Sequence, residues 1–345
     1  MGDVSLWAEI QSQAEVLGRL AESQIEPTKA ISDWMAGQEF SYVVMAARGS
    51  SDNAARYAQY LWGARNRLNV SLAAPSLYGP YASPPDLRDS LVAGISQSGE
   101  SPDLLAVLEE GRRQGRPTLA ITNQAESPMA RLADRHLHLA AGPELAVAAT
   151  KSYTTQLLAI ASLSAGLSGD AGMTEALQLI GPAVSSVLAR ADAIGPAAKT
   201  LSSKDRCVVI GRGFHHSTAY EWALKIAELS YLVAQPFSAA DFRHGPLAMV
   251  EPGLPVLAVA TEGPLFSDLG DLLVQVREVG APVIAISDRK DCPADHLIAL
   301  PTGLPEWLTA IPAIVAAQIF TYHLTLARGA DPDRPRGLKK VTRTV

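Results

Sequence analysis

Gly94-Ile95-Ser96-Gln97-Ser98-Gly99-Glu100-Ser101-Pro102-Asp103 follows the apolar run Leu91-Val92-Ala93 and precedes Leu104-Leu105-Ala106-Val107-Leu108, which has helical spacing. A buried strand, a hydroxyl-rich turn and a helix start, in that order, predict an anion site. The first free N–H groups of the helix point into the turn, the helix dipole is positive there, and hydroxyls add donors. Ser101 or Asp103 is placed to cap the helix, and Pro102 suits its first turn. An ordinary capped turn is the plainer reading. Hydroxyls at Ser96, Ser98 and Ser101 with the amide of Gln97 exceed what a turn needs, so a phosphate pocket is expected.

Working outward, Tyr42-Val43-Val44-Met45-Ala46-Ala47 reads as a buried strand ending at Arg48-Gly49-Ser50-Ser51, with a helix from about Asp52 to Gly63. Val70 to Ala74 is a second strand, Leu91 to Ser96 a third, Pro117 to Thr122 a fourth and His136 to Leu139 a fifth. This β/α alternation with apolar strands predicts a doubly wound, flavodoxin-like parallel sheet in an α/β/α sandwich. After a helical stretch from about Thr154 to Leu201 the pattern returns. Val208 to Gly213 answers Met45 to Gly49, with Arg212 where Arg48 stood; Pro255 to Ala260 answers the strand before the serine turn; Pro282 to Ser287 answers Pro117 to Thr122. An almost constant offset of about 164 residues marks a duplicated domain. The second copy has Thr261-Glu262-Gly263 where the first has Gln97-Ser98-Gly99, so phosphate is expected in the first copy only. The expected organisation is an N-terminal helical segment (1–34), a phosphate-binding domain (35–180), a second domain (195–330) and a C-terminal tail (331–345). In the first segment Leu6, Ile10, Leu17 and Leu20 recur at helical spacing and Pro27 interrupts the pattern.

Length and composition narrow the function. The 345 residues, 48% of them hydrophobic, suit two domains of ordinary size. A net charge of −6 argues against a nucleic-acid surface or a basic membrane patch. Cys207 and Cys292 make neither a disulfide framework nor a metal cluster, and Cys207 reads as an inert core residue. His136 and His138 alternate on a strand, and the adjacent His215 and His216 diverge on a helix start, so no metal site is expected. No nucleotide cofactor is expected without a GxGxxG pattern. Met1 to Ser5 lacks a basic region before an apolar stretch, and no window has the length and freedom from charge to span a bilayer, so a soluble, cytoplasmic protein is expected.

Chemistry is expected in the second copy. Glu221, Lys225 and Glu228 share one face of a mostly apolar helix that follows the Gly211-Arg212-Gly213 turn. Such a triplet is usually a solvated surface stripe, but charges embedded in an apolar helix tend to face a cleft. Asp241-Phe242-Arg243-His244-Gly245-Pro246 places a histidine before a Gly-Pro break, suited to acid/base work. The chain ends Pro335-Arg336-Gly337-Leu338-Lys339-Lys340-Val341-Thr342, which reads as a docked tail.

Together, Gly94 to Ser101, Gly142-Pro143-Glu144 through Ala149-Thr150-Lys151-Ser152-Tyr153-Thr154-Thr155-Gln156, Glu221 to Ser230, Arg243 to Pro246 and the tail resemble the sugar isomerase (SIS) family, in particular its amino-sugar-phosphate members. The resemblance is collinear over nearly the whole chain. It implies a hexose 6-phosphate bound between two SIS domains, and a homodimer with a shared active site. It implies that Ser51, Ser96, Gln97, Ser98 and Ser101 hold the phosphate, with substrate contacts at Gly49, Val147 and Ala149. Glu228 would be the base moving a proton between C1 and C2. His244 would assist ring opening, reaching across the dimer interface. Lys340 would meet the open-chain carbonyl, as a Schiff base or a cation, with Glu221 and Lys225 in support.

Two departures from the synthase members stand out. Those carry an amino-terminal glutaminase domain that begins with a nucleophilic cysteine, whereas Cys207 and Cys292 lie far from the start of this chain. Lys339 and Ala149 stand where they have smaller or hydroxyl residues. The expected activity is therefore deaminating isomerisation of glucosamine 6-phosphate. The rivals are simple phosphosugar isomerisation, sugar-amine cleavage, and a non-catalytic phosphosugar sensor. A sensor should lack the base, the loop histidine or the tail lysine, and all three positions are filled.

Overall fold

The structure, a computed structural model, describes residues 5–338 and Lys340. Expectations placed on Met1 to Val4, on Lys339 and on 341–345 lie outside the described residues. Three helices open the chain: α1 (Leu6–Gln11), α2 (Gln13–Ser23) and α3 (Ile25–Ala36). The first copy follows as β1 (Tyr42–Ala46), α4 (Ser50–Asn66), β2 (Asn69–Leu72), β3 (Ser90–Ser96), α5 (Pro102–Arg113), β4 (Thr118–Thr122), α6 (Pro128–Leu132), β5 (Arg135–His138) and α7 (Lys151–Ser168). Next come α8 (Ala171–Leu177), α9 (Ile180–Leu188) and α10 (Ala191–Lys199). The second copy runs β6 (Arg206–Gly211), α11 (His215–Ser230), β7 (Val233–Ser238), α12 (Ala239–Arg243), β8 (Val256–Val259), α13 (Phe266–Glu278), β9 (Val283–Ser287), β10 (His296–Ala299) and α14 (Glu306–Ala327).

Each copy holds a five-stranded, all-parallel sheet, ordered β2-β1-β3-β4-β5 in the first and β7-β6-β8-β9-β10 in the second. The two orders are the same doubly wound arrangement, in which the chain turns back on itself beside the first strand. Central strands are buried along their whole length: all seven residues of β3 and all five of β4 and β9. Helices cover both faces of such sheets, so these strands read as continuous apolar runs. The expected apolar stretches β1, β3 and β4, and their counterparts β6, β8 and β9, accordingly lie where their sequences place them. The outer strands β7 and β10 were not expected. Their alternating exposure, and Pro236 inside β7, belong to sheet edges, where one row of N–H groups needs no partner.

The chain folds into two compact units. One joins the residues up to Glu15 with Leu145–Thr150 and Leu179–Leu338; the other joins Val16–Glu144, Lys151–Gln178 and Lys340. In the former, α1 is tied to the second copy: Asp333 accepts the Leu6 N–H (2.6 Å), and Gln13 donates to Gln318 of α14 (2.7 Å). In the latter, Ser32 of α3 donates to the Leu163 carbonyl of α7 (3.3 Å). Leu6, Ile10, Leu17 and Leu20 are all buried, as their spacing predicts. Pro27 does not interrupt a helix. It sits in the first turn of α3, where its missing N–H has no partner to lose.

One window does combine the length and freedom from charge that were not expected. Helix α14 has a mean hydropathy of 1.5 over eighteen residues, with 78% of that window buried within the protein. It is a core helix, apolar all round because protein surrounds it. Burial pushes the Cys207 thiol up to about 12, in keeping with an inert core residue.

Candidate active site

In a doubly wound sheet, ligands bind at the carboxyl ends of the strands, where the order reverses. In the first copy that point lies between β1 and β3, and it carries the residues expected to hold phosphate. Strand β1 leads through Arg48 and Gly49 into α4; β3 leads through Gln97 to Ser101 into α5. Two helix N-termini therefore open at one end of the sheet, with anion-favouring partial charge.

The hydroxyls are held by bonds they accept. The Ser51 hydroxyl accepts from Gln156 Nε2 on α7 (3.0 Å), that of Ser96 from the Gly99 N–H (3.0 Å), and that of Ser98 from the Glu100 N–H (3.3 Å). Among the described residues these three hydroxyls only accept, so each keeps its own proton to donate to an anion. Gly99 makes the turn possible. Its φ is +66°, and a Cβ there would lie 2.3 Å from Ser127 Oγ. Gln97 is pinned through its carbonyl, which accepts the Asn123 N–H (3.1 Å). Gly49, with φ +55°, lines an open cleft of about 310 Å³ with Arg48, Asp52 and Leu72.

The expected cap on α5 is not made as predicted. Ser101 takes the N-cap position but its hydroxyl makes no capping bond. Asp103 bonds only the next N–H, of Leu104 (3.0 Å), and turns its other oxygen to Arg48 Nε (2.8 Å). The carboxylate is drawn to the guanidinium, and the pair cross-links the two loops of the cradle. The second copy repeats the device with Arg212 and Asp268, and Arg243 also donates to the Asp268 carbonyl (2.8 Å).

At the matching point of the second copy, the crevice is filled by its own side chains. His215 stands 164 residues after Ser51. It is fully buried, with Nε2 2.7 Å from Thr261 Oγ1 and 3.0 Å from Thr309 Oγ1. Burial lowers its pKa to about 3, so the ring is neutral. No hydroxyl turn replaces Ser96 to Ser101 here.

The charged face of α11 is not a solvated stripe. The Glu221 side chain is wholly buried, that of Lys225 is 3% exposed and that of Glu228 25% exposed. The Lys225 ammonium pairs with Glu228 and lies 3.5 Å from Glu221 Oε1. Trp222, on the same helix, packs edge-on against Phe320 of α14, fixing the helix against the core. Two carboxylates thus share one cation, and only Glu228 reaches the surface. His244 follows α12 in an exposed turn held by its N–H to the Asp241 carbonyl (3.0 Å). Val147 and Ala149 are half-buried in the segment after β5. Glu9 accepts the neighbouring Leu145 and Ala146 N–H groups (2.6 and 3.3 Å).

Lys340 is brought to a residue to which no role was assigned. Its Nζ lies 2.9 Å from Oε2 of Glu144, whose side chain is fully buried. Among the described residues no group of three or more His, Cys, Asp or Glu side chains is placed to hold a metal. His136 instead bonds Thr122 Oγ1 (2.9 Å), and burial lowers its pKa.

Two doubly wound α/β copies, the first with a hydroxyl-lined turn, are what the family match describes: the chain belongs to the SIS domain family, whose model matches residues 41–165 and 200–328. Among curated relatives, it is 38% identical over 268 residues to the glutamine–fructose-6-phosphate aminotransferase (isomerizing) of Thermococcus kodakarensis, covering 74% of this chain and 44% of that protein. The Pyrococcus horikoshii enzyme of the same name is 35% identical, covering 88% of this chain and 52% of its own length. The chain thus spans about half the length of these relatives. Among solved structures, the C-terminal domain of the glucosamine-fructose-6-phosphate aminotransferase of Francisella tularensis is 26% identical, with a TM-score of 0.87, covering 97% of this chain and all of that domain.

Proposed function

We propose that this chain is a phosphosugar aldose–ketose isomerase that acts on an amino-sugar phosphate. Its reaction is glucosamine 6-phosphate plus water giving fructose 6-phosphate plus ammonia. The observation that carries the reading is the first-copy cradle, in which Ser51, Ser96 and Ser98 keep their hydroxyl protons for an anion beside two helix N-termini. Ser101 and Gln97 complete the phosphate contacts. The relatives' names, which join fructose 6-phosphate to amino transfer, support a sugar phosphate bearing nitrogen.

Glu228, whose side chain is 25% exposed, takes the C2 proton of the open-chain aldose, exchanges it with water and delivers a proton to C1. This converts the C2 amine into an imine, which water hydrolyses to the ketone and ammonia. Lys225 holds that carboxylate from the buried side of α11, and Glu221 lies against Lys225 in turn. His244 assists ring opening and Lys340 meets the carbonyl, with Gly49, Val147 and Ala149 around the sugar. The active form is a homodimer.

The test is a coupled assay for ammonia and fructose 6-phosphate on purified protein, with glucosamine 6-phosphate, galactosamine 6-phosphate and N-acetylglucosamine 6-phosphate as alternatives. The reading expects ammonia and fructose 6-phosphate in equal amounts from the first sugar. Silence with all three, in a protein that still binds the sugars, would overturn the deaminating reaction.

A further inference from the structure

We infer that Glu144 is the positioning residue for Lys340: a buried carboxylate latch that fixes the terminal lysine amine for its encounter with the sugar carbonyl. The inference rests on the role given to Lys340 in the proposed function.

The two residues are 196 positions apart in the chain, and Glu144 Oε2 accepts the Lys340 Nζ–H at 2.9 Å. Ser152 holds both oxygens of the carboxylate, including the one that accepts from Lys340. The Ser152 N–H donates to Oε1 (3.0 Å) and the Ser152 hydroxyl to Oε2 (2.5 Å), both from the first turn of the eighteen-residue helix α7. Desolvation works against the charge, but the Lys340 ammonium and the Ser152 bonds outweigh it and hold the carboxyl below its usual range. A buried carboxylate without its cation is strongly unfavourable. Docking the lysine therefore relieves a charge already fixed in the fold, and the direction of the Ser152 bonds sets where the amine must lie. A plain structural role, in which Glu144 only organises the start of α7, would leave Lys340 indifferent to it.

The test uses the full chain with Glu144→Gln, Lys340→Ala, the double variant and Ser152→Ala. Acylation of Lys340 by an N-hydroxysuccinimide ester, read by peptide mass spectrometry against the exposed Lys29, needs no turnover. Glu144→Gln is expected to raise relative labelling of Lys340 by about tenfold, the ratio for one charge-assisted hydrogen bond lost. On glucosamine 6-phosphate it is expected to lower kcat about 10²-fold with KM little changed, as for a misplaced reacting group. The double variant should fall no further than Lys340→Ala, while Ser152→Ala, which removes one of the two bonds orienting Glu144, should shift Lys340 labelling and kcat in the same direction as Glu144→Gln but by less. Unchanged labelling, or costs that add in the double variant, would overturn the latch. If the native protein turns over no sugar, the proposed function fails while the labelling still decides the latch. Should Glu144→Gln not fold, Glu144→Asp carries the same expectations, because its shorter reach breaks the contact.

Discussion

His215 gives the fold a specific sensitivity to acid. The ring is fully buried between Thr261 and Thr309, and its pKa falls to about 3 from an ordinary 6.5. In the unfolded chain it takes a proton near pH 6.5, whereas the folded ring stays neutral down to about pH 3. The unfolded state thus binds more protons across that window, and stability falls as pH falls. From pH 7.5 to pH 5 the linkage relation gives a loss of about 2 kcal/mol from this one residue. His215→Gln removes the titration. Its stability at pH 7.5 will differ from the native protein's, but the acid-induced loss should shrink by about 2 kcal/mol. Urea denaturation at both pH values measures this as a difference of differences, roughly 1 M in midpoint for an ordinary slope. Equal acid losses in the two proteins would show instead that the ring is hydrated, or charged, in the folded state.

Other perturbations address the cradle and the charged helix. Ser96→Ala removes one anion donor and should weaken inorganic phosphate binding by about tenfold in calorimetry, worth roughly 1.4 kcal/mol. Gly99→Ala forces a left-handed alanine whose Cβ meets Ser127 at 2.3 Å; it should cost about 2–5 kcal/mol in denaturant unfolding. Lys225→Met leaves the buried Glu221 carboxylate without its cation and should cost about 3–5 kcal/mol, with Lys225→Arg less severe.

The parts of this molecule legible from sequence are those governed by neighbours along the chain. Buried parallel strands announce themselves as apolar runs such as Leu91 to Ile95, because both faces are covered. The duplication is visible because Arg48 and Arg212 occupy equivalent turns, and the structure gives each the same partner type, Asp103 and Asp268. Edge strands are the weakest signal: half-exposed β2 and β5 were read from the sequence, but β7, broken by Pro236, and β10, with only Ile298 buried, were not. Ser101 or Asp103 was expected to cap the helix, yet a guanidinium 55 residues away decides the orientation of Asp103. Glu144 stood within a stretch that resembles the family but was given no role, since its partner lies 196 residues later. Helix α14 shows the converse: its composition suits a bilayer, and only the surrounding protein reveals a core helix.

Proton transfer by Glu228 is tested by running the reaction on glucosamine 6-phosphate in D2O and locating deuterium by NMR. Transfer through Glu228 should give fructose 6-phosphate carrying deuterium at C1, with Glu228→Gln slowed by about 10²–10⁴-fold while its phosphate binding persists. Full turnover by Glu228→Gln, with deuterium still delivered to C1, would contradict it.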